Sequence, residues 1–414
     1  MRFLYFLFTT TYRLGIAIAA PFNNKAKLWI KGRKGLFTHL KGTYREKKKV
    51  VWFHCASLGE FEQGKPLIMQ IRKQHPELFI HVTFFSPSGY EIKKNDSCAD
   101  LITYLPMDTP GAARKFIQAL SPIAAIFVKY EYWYGYMQEL SRRDIPFYYI
   151  SAIYRPQQIF FKKYGTWFSD KLAQATHIFV QNRESQELLN SIGITQVSVA
   201  GDTRFDQVYR IAEDAEPIEF VEQFKHNKKL IVAGSTWLPD EKVLQEVHQQ
   251  TANSYKMIIA PHEIENSHIE QIKKLFPAEK TICYSEIEGQ NLNDYNILII
   301  NKIGILKKIY RYSEISYIGG AFQTGLHNIL EAAVFGVPIF FGPQYQKFDE
   351  AKRLVLAGGA FSITDSNQML SKISIFDQNE EEYKRVCTIC QNFVQSNLGA
   401  TEILYQHISK TINL

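Results

Sequence analysis

The 414-residue chain is long enough for two domains, and its 46% hydrophobic and 21% charged residues are typical of a folded globular protein and exclude a disordered one. Five cysteines, an odd number in a chain of this length, exclude a disulfide scaffold and fit a reducing compartment. The net charge of +7 is concentrated at the N-terminus, because residues 1–49 hold 12 Lys and Arg residues against the single acid Glu46. The rest of the chain is mildly acidic, so no nucleic-acid partner is expected.

The first predicted element is an apolar helix over residues 4–22, which is followed by a cationic, aromatic-rich stretch over residues 25–49. A helix of about 19 residues reaches roughly 28 Å, which only just matches the hydrocarbon thickness of a bilayer, and Arg13 would lie near its middle. An apolar helix beside a cationic segment is typical of attachment to an anionic membrane surface. We therefore interpret residues 1–49 as a membrane-associated basic arm that lies in the interface, with a single span or a core helix of the first domain as alternatives.

From residue 50 onward, short apolar runs alternate with amphipathic segments, a rhythm that indicates parallel βαβ units. The first half contains the predicted strands 50–57, 79–85, 101–106, 124–130, 147–153 and 177–182. The second half contains the predicted strands 229–235, 256–261, 296–303, 315–320 and 338–343. The sequence thus predicts an α/β protein with two facing, Rossmann-like, doubly wound domains. Their expected borders are 50–211 for the first domain, 212–227 for an acidic linker, 228–385 for the second domain and 386–414 for a C-terminal helix.

Ligands of such domains bind at the carboxyl ends of the strands, so the residues that follow each strand are the candidates for function. After the first strand, a turn that begins at Ser57 delivers the carboxylate of Glu60 to the start of a helix. That carboxylate either stabilises the helix dipole, which its spacing alone favours, or acts as a general base. After the second strand, the turn at Ser88 and Gly89 either presents amides to an anion or caps a helix. After the fourth strand, the aromatic-flanked Glu131 suits sugar recognition or an interface core.

The most specific stretch of the second half is GGAFQTGLHNILEAAVFGVPIFFGP, residues 319–343. Its glycines, Gly320 among them, allow a backbone to approach a ligand closely. Asn328 and Glu331 lie three residues apart on the opening turns of the next predicted helix. A carboxylate there can accept both hydroxyls of a ribose, while the helix N-terminus meets a phosphate.

The sequence indicates neither a metal nor another cofactor. It contains no GxGxxG or GxxxxGK[ST] motif, which disfavours NAD and P-loop chemistry, and no HExxH or similar ligand spacing. Cys387 and Cys390 form a CxxC without a second pair of ligands, so we interpret them as small apolar residues on one helix face.

Taken in chain order, the motifs HCASLGE, SPSG, the Glu-Tyr-Trp after the fourth strand, AGDTRFD (200–206), AGST and GLHNILEAAVFGVPIFFGP resemble those of the 3-deoxy-D-manno-oct-2-ulosonic acid (Kdo) transferases. The resemblance covers nearly the whole chain. It implies the GT-B fold, a role in building the inner core of lipopolysaccharide and a place at the cytoplasmic face of the bacterial inner membrane. It also implies CMP-Kdo as donor, the glucosamine disaccharide of a lipid A precursor as acceptor, and inversion at the Kdo anomeric carbon as CMP leaves.

The resemblance also suggests roles for individual residues. Glu60 matches the general base of the family, and Glu131 matches a second acidic position of the acceptor domain. The expected donor-nucleotide residues are Ser235, Thr236, Pro261, His262, Gly304, Leu306, Gly320, Asn328 and Glu331. The expected contacts to the acceptor or to the Kdo carboxylate are Ser57, Gly59, Ser88, Gly89 and Lys162, with Lys129 and Arg155 as further candidates for the carboxylate.

Two departures from the family pattern concern the donor site. The family commonly has Pro-Arg-His where this chain has Pro261-His262-Glu263, and Gly-Glu-Leu where it has Gly304-Ile305-Leu306. An arginine that could neutralise a phosphate is therefore missing, and either His262 or helix N-termini would take its role. Two other functions stay open: a GT-B enzyme that uses another nucleotide sugar, and a non-catalytic glycolipid-binding protein at the membrane surface.

Overall fold

The computed structural model describes residues 2–44, 49–214, 216–323 and 325–412. The chain divides into two compact units, of which the first comprises Met1–Gln207 together with Leu398–Leu414 and the second comprises Val208–Asn397. Parts of the predicted arm (1 and 45–48), of the linker (215), of the glycine-containing motif (324) and of the C-terminal segment (413–414) lie outside the described residues.

The first unit contains, within the described residues, a sheet of seven parallel strands in the order β3-β2-β1-β4-β5-β6-β7. Its strands are β1 (Val50–Cys55), β2 (Phe79–Phe84), β3 (Leu101–Tyr104), β4 (Ala124–Val128), β5 (Phe147–Ala152), β6 (His177–Val180) and β7 (Val197–Val199). Its helices are α1 (Arg2–Ala19), α2 (Asn24–Lys31), α3 (Leu36–Thr43), α4 (Leu58–Gln74), α5 (Pro87–Lys93), α6 (Pro110–Leu120), α7 (Tyr134–Arg142), α8 (Thr166–Leu172) and α9 (Arg183–Asn190), with α10 (Thr203–Glu213) leading into the second unit.

The second unit repeats this architecture with seven parallel strands, counted over its described residues, in the order β10-β11-β9-β8-β12-β13-β14. Its strands are β8 (Lys229–Thr236), β9 (Tyr255–Pro261), β10 (Thr281–Cys283), β11 (Ile297–Ile299), β12 (Ile315–Ile318), β13 (Ile339–Phe341) and β14 (Ala360–Ser362). Its helices are α11 (Glu219–Lys225), α12 (Leu238–Thr251), α13 (Asn266–Lys273), α14 (Leu306–Ile309), α15 (Leu330–Ala333), α16 (Asp349–Ala357), α17 (Ser366–Gln378) and α18 (Glu380–Gln395), while α19 (Ala400–Thr411) belongs to the first unit.

Both faces of the first sheet are covered, which explains why its strands are apolar runs without alternation. Successive side chains of β1 point to opposite faces: Trp52 joins one hydrophobic cluster, while Val51 and Phe53 join the other. All eleven predicted strands are present. The predictions missed β7, β10 and β14, which have three residues each; β11 and β13 are equally short but lie within longer apolar runs, which made them recognisable.

The region that follows α1 is part of the first unit, which corrects the prediction of a separate arm over residues 1–49. Leu36 and Leu40 of α3 are buried in the core cluster. The Arg33 guanidinium donates to the carbonyl oxygens of Trp29, Leu105 and Phe85 at 2.7–3.0 Å, and so fastens α2 to the ends of β2 and β3. Residues 24–44 therefore belong to the core of the first unit, which was one of the alternatives for residues 1–49.

Helix α1 differs, because much of its apolar surface is exposed. Its most exposed large residues are Phe3, Leu4, Leu7, Phe8, Leu14 and Ile18. Its other side contacts the first unit, where the Tyr5 hydroxyl donates to Asp108 Oδ2 at 2.6 Å. In the described chain no single helix is long and apolar enough to cross a membrane; α1 and α2 meet that criterion only as a pair bent by 119°.

The C-terminal segment also differs from its prediction as one helix over residues 386–414. It forms two helices, α18 and α19, and the chain returns to the first unit between them. Asp206 accepts hydrogen bonds from the backbone N–H groups of Gly399 and Thr401 and from the Thr401 hydroxyl at 2.6–2.7 Å, so it caps the start of α19. The unit boundary falls within α10, a few residues before the predicted linker.

Candidate active site

The first sheet reverses its winding direction between β1 and β4, which are neighbours in the sheet although β2 and β3 intervene in the chain. Ligands of doubly wound sheets bind beyond the strand ends at such a point. Glu60 follows β1 and Glu131 follows β4, so both predicted carboxylates lie there. Burial raises the pKa of the Cys55 thiol, at the end of β1, well above its usual range, and the charges of Glu60 and Glu131 raise it further. Cys55 is thus a neutral thiol beside two carboxylates and is no candidate nucleophile.

Glu60 is the third residue of α4 and forms part of a capping box with Ser57. The Ser57 backbone N–H donates to Oε2 of Glu60 at 2.8 Å, and the Ser57 hydroxyl donates to the same oxygen. Glu60 therefore has the helix-start role that its spacing predicts. Within the described residues, its Oε1 has no hydrogen-bond partner, and the side chain is only half-buried. One carboxylate oxygen is thus left for a substrate hydroxyl.

Glu131 is 7% exposed and is held through Oε2. The indole N–H of Trp133 donates to this oxygen at 2.7 Å, and Nε2 of His54 lies 3.0 Å from it. His54, on β1, is fixed in turn through Nδ1, which lies 2.9 Å from Oγ1 and 3.1 Å from the carbonyl oxygen of Thr83 on β2. Sequence reasoning missed His54 and Thr83; the available signal was polar side chains inside otherwise apolar strands.

The turn after β2 lies against the turn that carries Glu60. A Cβ atom on Gly89 would lie 2.9 Å from the backbone nitrogen of Leu58 and 2.6 Å from the Phe84 ring, so the glycine allows α5 to approach the start of α4. The helix cap of α5 is Ser86, which accepts from the backbone N–H of Ser88 at 3.3 Å, and not Ser88 itself. The structure thus brings Ser57, Gly59, Ser88 and Gly89 to the same corner of the first sheet.

A cavity of about 610 Å³ lies between α1 and the loops after β4 and β5. Most of its lining is aromatic, with one wall formed by residues of α1 and with Glu131 and Arg155 as its charged groups. The aromatic lining residues are Tyr5, Phe8, Tyr12, Phe85, Tyr130, Tyr132, Trp133, Phe160 and Phe168. Arg155 lies over the Tyr130 ring at 6.0 Å, and Lys129 Nζ lies 5.3 Å from the same ring. Lys162 does not line this cavity.

Three non-glycine residues at strand ends have left-handed backbone angles: Lys129 after β4 (φ 66°), Ser151 in β5 (φ 50°) and Ser235 in β8 (φ 54°). Such conformations cost about 1–3 kcal/mol each and cluster at functional sites. At Ser235 the pairing of β8 with β9 is also irregular. Among the described residues, three of the six non-glycine residues with positive φ therefore lie at the edge of a sheet where ligands are expected.

In the second unit the corresponding change of winding lies between β8 and β12. Thr236 at the end of β8 is fully buried, and its hydroxyl donates to Glu241 at 2.9 Å. Its side chain therefore makes a hydrogen bond within the protein. Glu241 also contacts His268 Nε2 at 3.0 Å. Asp240, likewise buried, accepts from the Gly320 backbone N–H at 3.0 Å and from the Tyr317 hydroxyl at 2.8 Å.

The glycines after β12 serve contacts within the chain. A Cβ atom on Gly319 would lie 2.3 Å from the carbonyl oxygen of Ser235, and one on Gly320 would lie 2.4 Å from the carbonyl oxygen of Gly325. The prediction related these glycines to a ligand. The structure shows that they are required first for the approach of β12 to β8 and for the fold of the loop after it.

The loop after β12 places His327 beside His262. Pro261 ends β9 and is buried, whereas the following His262 is exposed. The ring of His262 stacks on that of His327 with centroids 4.4 Å apart, and it also stacks on the ring of Trp237 at 5.0 Å. Sequence reasoning missed Trp237 and His327, although both lie beside predicted site residues.

Asn328 and Glu331 contact each other at the start of α15, as their spacing predicts. The Asn328 amide donates to Oε1 of Glu331 at 3.3 Å, and Lys307 Nζ lies 3.3 Å from the same oxygen. Gly304 (φ 99°) and Leu306 lie just before and at the start of α14, the helix that supplies Lys307. The predicted donor residues thus form two groups at this edge, one around His262 and one around Glu331.

No group of three or more His, Cys, Asp or Glu side chains with metal-binding geometry occurs among the described residues. Cys387 and Cys390 lie on α18 as free thiols, and the buried Cys390 contacts the carbonyl oxygen of Gly359 at 3.2 Å. The CxxC motif therefore packs against the chain itself.

Two Rossmann-like units with polar loops at their switch points define the GT-B fold. Solved structures agree on the fold. A UDP-GlcNAc 2-epimerase from Neisseria meningitidis bound to UDP-GlcNAc matches with a TM-score of 0.60 and 14% identity over 87% of this chain and 100% of that one. A glycosyltransferase from Rickettsia africae ESF-5 matches with a TM-score of 0.58 and 14% identity over 89% of this chain and 99% of that one.

Comparison of this sequence with known proteins shows which enzymes it is similar to. Residues 30–207 match the family model described as 3-Deoxy-D-manno-octulosonic-acid transferase (kdotransferase). The 3-deoxy-D-manno-octulosonic acid transferase of Aquifex aeolicus (strain VF5) is 26% identical over 346 residues, 81% of this chain and 88% of that protein. The enzyme of the same name from Rickettsia bellii (strain RML369-C) is 25% identical over 393 residues, 89% of this chain and 90% of that protein. Over most of its length the chain is thus similar to Kdo transferases, a class of glycosyltransferase.

Proposed function

We propose that this enzyme transfers Kdo from CMP-Kdo to the glucosamine disaccharide of a lipid A precursor, with inversion at the anomeric carbon and Glu60 as the general base. The observation that carries the proposal is the pair of carboxylates, Glu60 and Glu131, beyond the neighbouring strands β1 and β4. We infer that the transferred sugar is Kdo from the names of the relatives.

Glu60 is suited to act as the general base because a hydrogen bond from Ser57 already orients its carboxylate. Ser57 holds Oε2, and Oε1 is left to accept a proton from the acceptor hydroxyl as that oxygen attacks the anomeric carbon. A positioned base contributes about 10²–10⁴-fold to the rate. Glu131, fixed by Trp133 and His54, faces the aromatic cavity, where its carboxylate would orient the acceptor.

The cavity beside α1 suits a phosphorylated, acylated sugar. Its aromatic side chains offer faces to sugar rings, and Arg155 offers a cation to a phosphate or to the carboxylate of Kdo. One wall of the cavity belongs to α1, whose outer surface is apolar. We propose that α1 lies in the cytoplasmic leaflet of the bacterial inner membrane, so that an acceptor reaches the cavity while its acyl chains stay in the lipid.

The donor is proposed to bind at the switch point of the second unit, with its phosphate near His262 and its ribose at Glu331. A CMP-sugar has a single phosphate and no diphosphate for a metal ion to bridge. The proposed reaction therefore needs no metal, and addition of EDTA should leave its rate unchanged.

The test is Glu60→Gln in the full-length enzyme, with CMP-Kdo and a lipid A precursor as substrates. Glutamine can still accept from the Ser57 N–H, so the capping box is preserved while the base is lost. We expect kcat to fall at least about 10²-fold while the affinity for CMP, measured by calorimetry, is unchanged. A matched control is Glu62→Gln, which removes a neighbouring carboxylate of α4 and should keep nearly full activity. A Glu60→Gln enzyme with more than a tenth of the wild-type rate would remove Glu60 from the proposed role, and binding of UDP in preference to CMP would contradict the donor.

A further inference from the structure

Three aromatic rings from neighbouring strand ends form a stack at the edge of the second sheet. Trp237 follows β8, His262 follows β9, and His327 lies in the loop after β12; in the sheet these strands stand in the order β9-β8-β12. The imidazole planes are inclined by 25° at a centroid distance of 4.4 Å, and those of His262 and Trp237 by 28° at 5.0 Å. The rings are thus close to parallel and lie at the switch point.

The stack is open to a ligand. His262 is exposed, and His327 and Trp237 are only half-buried. The Trp237 indole N–H donates to Nε2 of His327 at 3.4 Å, which requires this nitrogen to be an acceptor and the ring to be neutral. In the part of the chain that the structure describes, no hydrogen-bond partner is present for the ring nitrogens of His262.

The charge state of the two imidazoles depends on their burial and on the charged side chains nearby. Burial, with a smaller effect of His262, lowers the pKa of His327 to about 4. Burial also lowers the pKa of His262, and the neighbouring Glu263 opposes this shift. On α12, Asp240 is engaged by backbone N–H groups and by Tyr317, and Glu241 is paired with His268 of α13. Within the described residues, no lysine or arginine is hydrogen-bonded to either stacked imidazole.

We propose that His262 and His327 bind the donor phosphate as one unit, and that one of them takes up a proton from solvent when the nucleotide binds. This rests on the proposed use of a CMP-sugar. Burial lowers the pKa of both imidazoles, and a positive charge on one ring disfavours a charge on the other, so the unliganded stack is neutral near pH 7. A bound phosphodiester supplies the counter-charge for one imidazolium, and no covalent bond is made or broken.

The consequence is a donor affinity that depends on pH. Because the anion raises the pKa of the imidazole that it contacts, binding is strongest at low pH and weakens as the pH rises through the pKa of the complex. Because the complex loses this proton as the pH rises from 6 to 8, the affinity should be about tenfold lower at pH 8 than at pH 6.

The test is calorimetry with the methyl ester of cytidine 5′-monophosphate, whose phosphodiester group, like that of the donor, has one negative charge that does not titrate near neutrality. Titrations at pH 7 in PIPES and in Tris, which differ in ionisation enthalpy, give the number of protons taken up. We expect uptake of a substantial fraction of one proton by the wild-type enzyme. His262→Asn and His327→Asn should each bind more weakly, take up no proton and lose the pH dependence.

The matched control is His226→Asn, at an exposed histidine that precedes β8 and so lies at the opposite end of that strand from Trp237, and it should behave as the wild type. Binding of the diester with no proton uptake and equal affinity at pH 6 and 8 would overturn this inference and leave the proposed function intact. No binding of the diester at any pH would overturn the CMP-sugar proposal, and the inference with it.

Discussion

The buried carboxylate of Glu131 is stabilised by hydrogen bonds with few neighbouring side chains. A buried charge without hydrogen bonds is strongly destabilising; here the Trp133 indole N–H donates to the carboxylate, and Nε2 of His54 lies 3.0 Å from it. The same contacts orient the carboxylate toward the aromatic cavity. The stability of this corner and its ability to bind an acceptor are therefore set by the same side chains.

We predict that Trp133→Phe lowers the free energy of unfolding by about 1.5–3 kcal/mol, because it removes a hydrogen bond to a charged group and keeps the aromatic ring. Urea denaturation monitored by circular dichroism measures the change. The control is Trp167→Phe, since the indole N–H of Trp167 is buried without a partner and its loss removes no hydrogen bond. Equal effects of the two substitutions would show that the contact with Glu131 contributes nothing of its own.

At the scale of elements, the AGDTRFD motif (200–206) makes hydrogen bonds to both α4 and α19. Asp202 accepts from Gln63 of α4 at 3.0 Å and from Arg204, whereas Asp206 caps α19. The sequence analysis quoted this motif only as part of a family pattern. Its two aspartates hold together elements that are far apart in the chain.

We predict that Asp206→Ala destabilises the first unit by about 1–2 kcal/mol, the usual cost of losing a helix cap, and makes α19 accessible to protease. Limited proteolysis followed by mass spectrometry would locate the cleavage. Asp214→Ala, at an exposed aspartate just after α10, is the control and should leave the pattern unchanged. An Asp206→Ala enzyme as resistant as the wild type would show that α19 is held by its apolar contacts alone.

At the scale of the whole molecule, the exposed apolar residues of α1 lie on one helical face. Phe3, Leu7, Leu14 and Ile18 are separated by four, seven and four residues and are 50–76% exposed. Exposed apolar surface of this extent on one helix indicates a binding surface, and we propose an anionic membrane as its partner.

We predict that the triple substitution Leu7→Gln, Leu14→Gln and Ile18→Gln lowers binding to vesicles of anionic phospholipid more than tenfold without loss of fold, because glutamine is as good a helix former as leucine. Vesicle flotation measures the bound fraction. The control is Leu356→Gln in the second unit, where an equally exposed leucine stands alone. Undiminished flotation of the triple variant would contradict attachment through α1.

The sequence by itself determined the α/β class, eleven of the strands, the resemblance to Kdo transferases and the position of Glu60 and Glu131 at strand ends, because these follow from local periodicity and from motifs that are contiguous in the chain. Only the tertiary structure decided what depends on residues far apart in sequence: the fixing of Glu131 by His54, the integration of residues 24–44 into the first unit, the return of α19, and the stack of Trp237, His262 and His327. These contacts join strand ends that the sheet order brings together, and no local pattern records the order of strands in a sheet.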